Sequence, residues 1–223
     1  RPLELALGLL EGAKARFLRH DTQLDIIGGC AGLIGPLIQL DTSQSLELAI
    51  VAGERLVEAQ HEKGGWTVRG PNSPMLLGFS HGTAGFAAAL ARLHHVSGEQ
   101  RFLDAAQRAL TYERQKFDPK HGNWPDFRGS SGAGNSDWKN NDFMTSWCHG
   151  APGIALGRAC LWGTALWDEK VEEEIRIGLK TTASMPLLAA DHLCCGSFGL
   201  AATLRYVGSG PWITNKNDRD FWR

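Results

Sequence analysis

The sequence predicts an all-α protein, an α/α toroid of helical hairpins with an inner and an outer ring of helices. Three observations lead to this fold. A Gly-x-x-Gly turn occurs four times, an apolar stretch rich in Ala, Gly and Leu follows each turn, and charged segments with apolar residues at helical spacing lie between them. Such helix pairs bury their faces on neighbouring pairs, so they stack into a solenoid or close into a ring. The strongly apolar inner helices favour closure.

The four turns align without gaps, although successive turns are 53, 68 and 46 residues apart. Their glycine pairs are Gly29/Gly32, Gly82/Gly85, Gly150/Gly153 and Gly196/Gly199. Glycine accounts for 27 of the 223 residues, about 12% against a usual share of about 7%, without a collagen period or a low-complexity tract. The glycines are therefore expected to form tight turns and close backbone contacts at defined positions.

The helices are predicted in chain order from these turns. Inner helices are expected over residues 33–40, 86–94, 154–166 and 200–207, and outer helices over 45–62, over 99–115 and around Val171, Ile175 and Leu179. Strand signals are limited to short candidates at Trp66 and Trp124, and both tryptophans are interpreted as core residues. The glutamates at 172–174 are interpreted as a solvated helix face. A long loop is predicted over 118–141, which is rich in Gly, Ser and Asn.

Charge and composition exclude several classes of protein. The 23 basic and 24 acidic side chains give a formal charge of −1 without a basic block, which argues against nucleic-acid binding. No stretch reaches the roughly 18 apolar residues of a membrane span, and no secretory signal is present, so a cytoplasmic location is expected. Because the chain opens on Arg1 without an initiator Met, we expect a piece of a longer protein.

The reactive side chains accumulate in the four turns. Five cysteines, two of them adjacent, make a poor disulfide framework, so the cysteines point to a metal site or to catalysis. All four turns lie at the same end of the inner helices, so Cys148, Cys194 and Cys195 are predicted to meet there, with His81 nearby. Three cysteine thiolates suit Zn²⁺ and leave a fourth tetrahedral position open, as in catalytic zinc sites. The role of His149 remains open between a ligand, an orienting residue and a turn residue.

The motifs in these turns resemble those of a known family. Ser-Trp-Cys-His-Gly-Ala-Pro-Gly at 146–153, Leu-Cys-Cys-Gly at 193–196 and the earlier turns at 25–32 and 78–85 resemble the lanthionine synthetase C-like cyclases. The Cys-Cys-Gly form is similar to the C-terminal cyclase domain of bifunctional class II lanthipeptide synthetases, in which a dehydratase domain precedes the cyclase.

The resemblance implies a fold, a cofactor and a reaction. It implies an α/α toroid that binds zinc through Cys148, Cys194 and Cys195, with His81 as the acid/base residue and Asp25 beside it. The reaction is a Michael-type addition of a precursor-peptide cysteine thiol to dehydroalanine or dehydrobutyrine, which forms lanthionine or methyllanthionine rings. Residues 1–223 would then be a cyclase domain fragment that works with a dehydratase domain of the same protein. The last glycine-rich repeat of the family is not recognised after Gly199, so the ring is expected to be incomplete.

This chemistry is consistent with the residues present. A peptide thiol has a pKa of about 8.5, and coordination to Zn²⁺ converts it to a thiolate at neutral pH. Three protein thiolates plus the substrate thiolate give the zinc site a formal charge of about −2, which is expected to make the bound sulfur more nucleophilic. Addition to the β-carbon creates an enolate that needs a proton at the α-carbon. His81 is the expected donor, and Asp25 orients it or holds its charge.

Three other functions are considered. A related enzyme would add glutathione to dehydrated residues. A peptide-binding module would use the cysteines for a structural zinc, with His149 or His192 as the fourth ligand. A toroidal glycosidase would need two carboxylates at the mouth of the ring, and only Asp25 lies in an aligned turn.

Overall fold

The chain is all-α over the residues that the computed structural model describes, which are 8, 18–68, 70, 73–129 and 143–213. Seven α-helices lie within these residues, namely α1 (Cys30–Gln39), α2 (Ser43–Ala59), α3 (Thr83–Ser97), α4 (Gln100–Arg114), α5 (Ala151–Ala159), α6 (Glu169–Ala183) and α7 (Ser197–Gly208). Short 3₁₀ turns occupy Leu18–His20 and Phe127–Gly129, and no strand is formed in this part of the chain. The predicted inner and outer helices are all present.

The helices form the two layers of an α/α toroid. The inner helices α1, α3, α5 and α7 pack side by side in chain order, and the outer helices α2, α4 and α6 each pack against the inner helix that precedes them. The predicted fold is therefore confirmed. None of the described helices combines the length and the apolar character that crossing a membrane requires.

The inner helices begin directly at the repeated turns. The first glycine of each Gly-x-x-Gly pair is the N-cap residue of its helix, and no side chain caps any of these four helices. The second glycine packs against a carbonyl oxygen of its own turn, such as that of Phe79 for Gly85, so closely that a Cβ would collide. The same contact occurs in all four turns, which explains the spacing of the pair. Two outer helices start differently, because the side chains of Thr42 and Asp168 cap α2 and α6.

Two predicted segments differ from the structure. The third inner helix ends at Ala159, seven residues before its predicted end. The backbone hydrogen bonds there change to the tighter pattern that spans three residues, as in Leu161 N–H to Arg158 O at 3.0 Å. Gly163 then turns the chain away with a φ of 77°. The strand candidates at Trp66 and Trp124 do not form strands. Both tryptophans are buried, as predicted, and each indole N–H donates to a backbone carbonyl. Of the predicted loop, residues 130–141 lie outside the described part of the chain.

The interpretation of residues 172–174 as a solvated face is wrong for Glu174, whose side chain is 8% exposed. Its carboxylate accepts from Arg158 Nε and from Arg114 Nε, both at 2.6 Å, and Arg158 Nη1 donates to Glu113 at 2.8 Å. The Arg158 side chain is fully buried on an inner helix, so it joins the outer helices α4 and α6 through two carboxylates. Burial would raise the pKa of Glu174, but Arg158 and Arg114 lower it below its usual range.

Replacing Arg158 tests this buried ion cluster. We expect Arg158→Met to lower the free energy of unfolding by about 3–5 kcal/mol, because two buried carboxylates lose their shared cation. Urea unfolding measures the change. Arg176→Met is the control, since Arg176 pairs with Glu172 on an exposed surface and should change stability by about 0.5 kcal/mol or less. Equal stability of the two variants would contradict the assignment.

Candidate metal centre

Backbone hydrogen bonds hold the first three turns together. The N–H of Ile26 donates to Ser80 O at 3.0 Å, and the N–H of Phe79 donates to Cys148 O at 3.2 Å. The donors Ile26 and Phe79 occupy the same position of the aligned repeat, and the acceptors Ser80 and Cys148 occupy the next position. The repeat therefore continues from one turn to the next as a ladder, and side chains at equivalent positions are brought to one end of the inner helices.

The third turn has a backbone geometry that requires glycine. Gly150 has a φ of 74°, and a Cβ there would collide with the carbonyl oxygen of Met144. Asn123, which lies in the segment after α4, hydrogen-bonds to residues on both sides of Cys148. Its Oδ1 accepts the N–H of Ala151 at 2.7 Å, and its Nδ2 donates to Thr145 Oγ1 at 3.1 Å. Cys148 is thereby fixed in a rigid, buried turn.

The structure brings the three predicted cysteines together. Cys148 Sγ lies 3.4 Å from Cys195 Sγ, Cys195 Sγ lies 3.3 Å from Cys194 Sγ, and all three sulfurs lie within 4.8 Å of one another. A tetrahedral zinc with Zn–S bonds of about 2.3 Å would separate its sulfur ligands by about 3.8 Å, so the cluster fits such an ion with little movement. The three cysteines form no disulfide.

The cluster is asymmetric in its exposure and supplies three donors. Cys148 is buried, Cys195 is partly buried and Cys194 is exposed, so the cluster opens to solvent on one side. Among the described residues, no fourth His, Cys, Asp or Glu joins the three sulfurs. Desolvation raises the pKa of all three thiols, and the Ser146 hydroxyl, 3.1 Å from Cys148 Sγ, acts in the opposite direction on Cys148. A divalent cation would therefore displace protons when it binds.

His81 and Asp25 form a hydrogen-bonded pair. His81 Nδ1 lies 2.6 Å from Asp25 Oδ2, and because a carboxylate accepts, Nδ1 carries the proton. Asp25 Oδ1 accepts the N–H groups of Ile27 and Gly28 at 3.0 and 2.8 Å, which fixes the carboxylate in its turn. The His81 side chain is 33% exposed, so its ring can reach a bound molecule.

The other two histidines of the turns have separate partners. His149 is 2% exposed, and its Nδ1 donates to Leu77 O at 3.1 Å. Burial, with the nearby charge of Arg128, lowers the pKa of His149 to about 4, so the ring is neutral at pH 7. His192 is exposed, and its Nδ1 accepts the N–H of Cys195 at 3.1 Å. Neither imidazole belongs to the sulfur cluster.

Sequence reasoning missed Arg128 and its ion-pair partner Asp126, whose charges interact with side chains of the third turn. Arg128 lies four residues after Trp124. Its hydrogen bonds to Asp126 raise the pKa of the guanidinium most, and Cys148 and Cys195 raise it further. Nothing in the local sequence distinguishes this pair from an ordinary surface ion pair. Its interaction with the third turn follows from the three-dimensional course of the segment after α4.

Solved structures share this fold. Nisin cyclase superposes with a TM-score of 0.72 at 20% identity, over 91% of this chain and 54% of that one. A GH76 alpha-mannanase from Bacteroides thetaiotaomicron superposes with a TM-score of 0.56 at 14% identity, over 86% of this chain and 54% of that one. The chain thus spans about half the length of each. At these identities the likeness establishes the fold alone.

Sequence comparison identifies the family. No curated protein matches the chain significantly. The profile of the family described as "Lanthionine synthetase C-like protein" matches residues 4–210, which is most of the 223 residues. Together with the toroid and its cysteine cluster, this match shows that the chain belongs to the lanthionine synthetase C-like protein family.

Proposed function

We propose that this chain is a zinc-dependent cyclase that adds precursor-peptide cysteine thiols to dehydroalanine or dehydrobutyrine, forming lanthionine or methyllanthionine rings. The observation that carries the proposal is the three-sulfur cluster at the same end of the toroid as the hydrogen-bonded His81–Asp25 pair. The family and the fold shared with nisin cyclase support the same reaction class.

The donor set fits zinc in a catalytic role. Cys148, Cys194 and Cys195 would hold the ion, which when bound would keep a substrate thiol in its nucleophilic thiolate form. A structural zinc would need a fourth protein ligand. Neither His149 nor His192 brings a ring nitrogen into the sulfur cluster, which favours the catalytic role.

The chain's own residues can complete the addition. The carbon–sulfur bond forms at the β-carbon, the π electrons of the alkene move toward the carbonyl as an enolate, and a proton is then required at the α-carbon. The thiol loses one proton and the α-carbon gains one, so the product has the same mass as the substrate. His81 supplies the proton, and Asp25 holds the imidazole in orientation and stabilises its charged form.

The partners follow from this reaction. The substrate is a precursor peptide that already contains dehydrated residues, and a dehydratase domain of the same full-length protein, in the cytoplasm, would supply them. In this proposal residues 1–223 form a fragment of the cyclase domain.

Zinc content tests the ligand set. We expect the purified chain to bind one zinc, and Cys148→Ala, Cys194→Ala or Cys195→Ala each to weaken zinc binding strongly, because two sulfurs cannot hold the ion as three do. Elemental analysis after dialysis against a mild chelator measures the content. Cys160→Ala is the control, since Cys160 lies outside the cluster and should leave zinc bound. Full zinc retention in all three cluster variants would refute the assignment.

His81→Ala tests the separation of roles. We expect this variant to retain zinc and to form rings about 10²–10⁴-fold more slowly, because the proton donor is lost while the ligands remain. Asp25→Asn should retain the turn, since an amide oxygen can accept the same N–H groups, and should slow ring formation less. His121→Ala, at an exposed loop position, is the control. Loss of zinc from His81→Ala would show that His81 acts at the metal.

The reaction itself is tested by trapping thiols. A synthetic peptide with one dehydroalanine and one cysteine is incubated with the zinc-loaded chain and then treated with N-ethylmaleimide. We expect the peptide to keep its original mass, without an N-ethylmaleimide adduct, because a closed thioether ring has no free thiol. With glutathione present, a product heavier by one glutathione would instead indicate the glutathione-adding activity.

A further inference from the structure

His149 is a buried histidine whose ring connects the turn of Cys148 to the turn of His81. Its Nδ1 donates to Leu77 O at 3.1 Å, and its buried Nε2 has no hydrogen-bond partner among the described residues. His149 directly follows Cys148 in the chain, and its ring centroid lies 6.1 Å from that of His81. Within the described part of the chain, the bond to Leu77 O is therefore the hydrogen bond that fixes this ring.

Leu77 is the point at which the loop that carries His81 closes on itself. A Cβ at Gly82 would collide with the carbonyl group of Leu77, so the two ends of residues 77–82 lie against each other. His81 immediately precedes Gly82. A hydrogen bond that fixes Leu77 O therefore also fixes the backbone that carries the His81 side chain.

The peptide group between Leu77 and Gly78 is held from two sides. Its carbonyl oxygen accepts from His149, and its N–H donates to the buried carboxylate of Glu113 at 3.4 Å. A Cβ at Gly78 would also collide with the backbone of Cys148 and His149. The third turn therefore packs directly against this peptide group.

The position of His81 relative to the cysteine centre decides how the enolate is protonated. The sulfur of the substrate thiol adds to the β-carbon, and the proton then goes from His81 to the neighbouring α-carbon. A donor fixed on one side delivers the proton to one face of the enolate and gives one configuration, whereas solvent water can reach both faces. Stereochemical control therefore requires a rigid connection between the turns of Cys148 and His81.

We propose that His149 is a positioning residue whose bond to Leu77 O holds His81 in a fixed place relative to Cys148, so that the proton reaches one face of the enolate. This inference rests on the proposed function, because it takes Cys148 as a zinc ligand and His81 as the proton donor. His149 itself touches neither the metal nor the substrate. It acts through the backbone of residues 77–82.

Two substitutions separate the hydrogen bond from the space that the ring fills. The amide of asparagine can donate from the place of Nδ1, whereas leucine has a similar size and no donor. We expect His149→Leu to retain zinc, to form rings up to about 10²-fold more slowly and to give both lanthionine diastereomers at the α-carbon. His149→Asn should retain zinc and give one diastereomer, as the unmodified chain does.

The diastereomer ratio is measured by chiral chromatography of the hydrolysed product, with the synthetic peptide that has one dehydroalanine and one cysteine as substrate. The product of a reaction without protein is subtracted. A variant that is only less stable makes the same product from a smaller folded fraction, so its ratio stays unchanged. The ratio therefore distinguishes positioning from a merely structural role.

Nitrogen NMR of the zinc-free chain tests the positioning without turnover. The ring-nitrogen resonances of His81 should shift in His149→Leu and stay near their original values in His149→Asn. His94 provides the matched control, because its Nδ1 lies 3.1 Å from Glu99 O near the C-terminus of α3. His94→Leu should leave both the His81 resonances and the diastereomer ratio unchanged.

A single diastereomer from His149→Leu would overturn the inference, and so would equal mixtures from the leucine and asparagine variants or unshifted His81 resonances in His149→Leu. Loss of zinc from both variants would place His149 at the metal and would overturn it as well. If the unmodified, zinc-loaded chain forms no ring, the proposed function fails instead, and the His81 resonances still report on the bond to Leu77 O.

Discussion

The candidate site depends on a ladder of backbone hydrogen bonds between the first three glycine turns, which carry Asp25, His81 and Cys148, and on the packing of α7, which follows the fourth turn, against α5. Ile26 donates to the second turn and Phe79 to the third, at equivalent positions of the repeat. The glycines permit this because a Cβ at their positions would collide with neighbouring carbonyl groups. Since the bonds are made by the backbone, the side chains in the turns are free to differ. A carboxylate, an imidazole and thiols can therefore stand in successive turns without altering the fold.

Electrostatics then decides what the assembled side chains can do. Burial raises the pKa of the three thiols, so the cluster resists becoming a set of thiolates unless positive charge arrives. A bound divalent cation would supply it. The environment of His81 differs from that of the buried Cys148, because the His81 ring is partly exposed and is paired with the Asp25 carboxylate. Such an environment suits a residue proposed to move protons. The toroid thus places the cysteine cluster and the His81–Asp25 pair in different environments at one end of the molecule.

Much of this arrangement could be predicted from the sequence. The repeat predicted the inner and outer helices, and the alignment of the turns predicted that Cys148 would meet Cys194 and Cys195. The positions of Glu174 and Arg128 could not be predicted, because the partners of Glu174 and the contact of Arg128 with Met144 join segments that are distant in the chain. Glu174 lies in a run of three glutamates, and only this one of the three pairs with the buried Arg158. A local pattern cannot identify which one.

The fold alone does not specify the reaction, since an alpha-mannanase also shares it. The central claim is that three protein sulfurs bind one zinc and leave the fourth position for a substrate thiol. X-ray absorption at the zinc edge measures this directly. The account predicts three sulfurs and one lighter atom around zinc in the free chain, and four sulfurs once a cysteine-containing peptide is bound. Four protein ligands in the free chain, or an unchanged sulfur count with peptide, would contradict it.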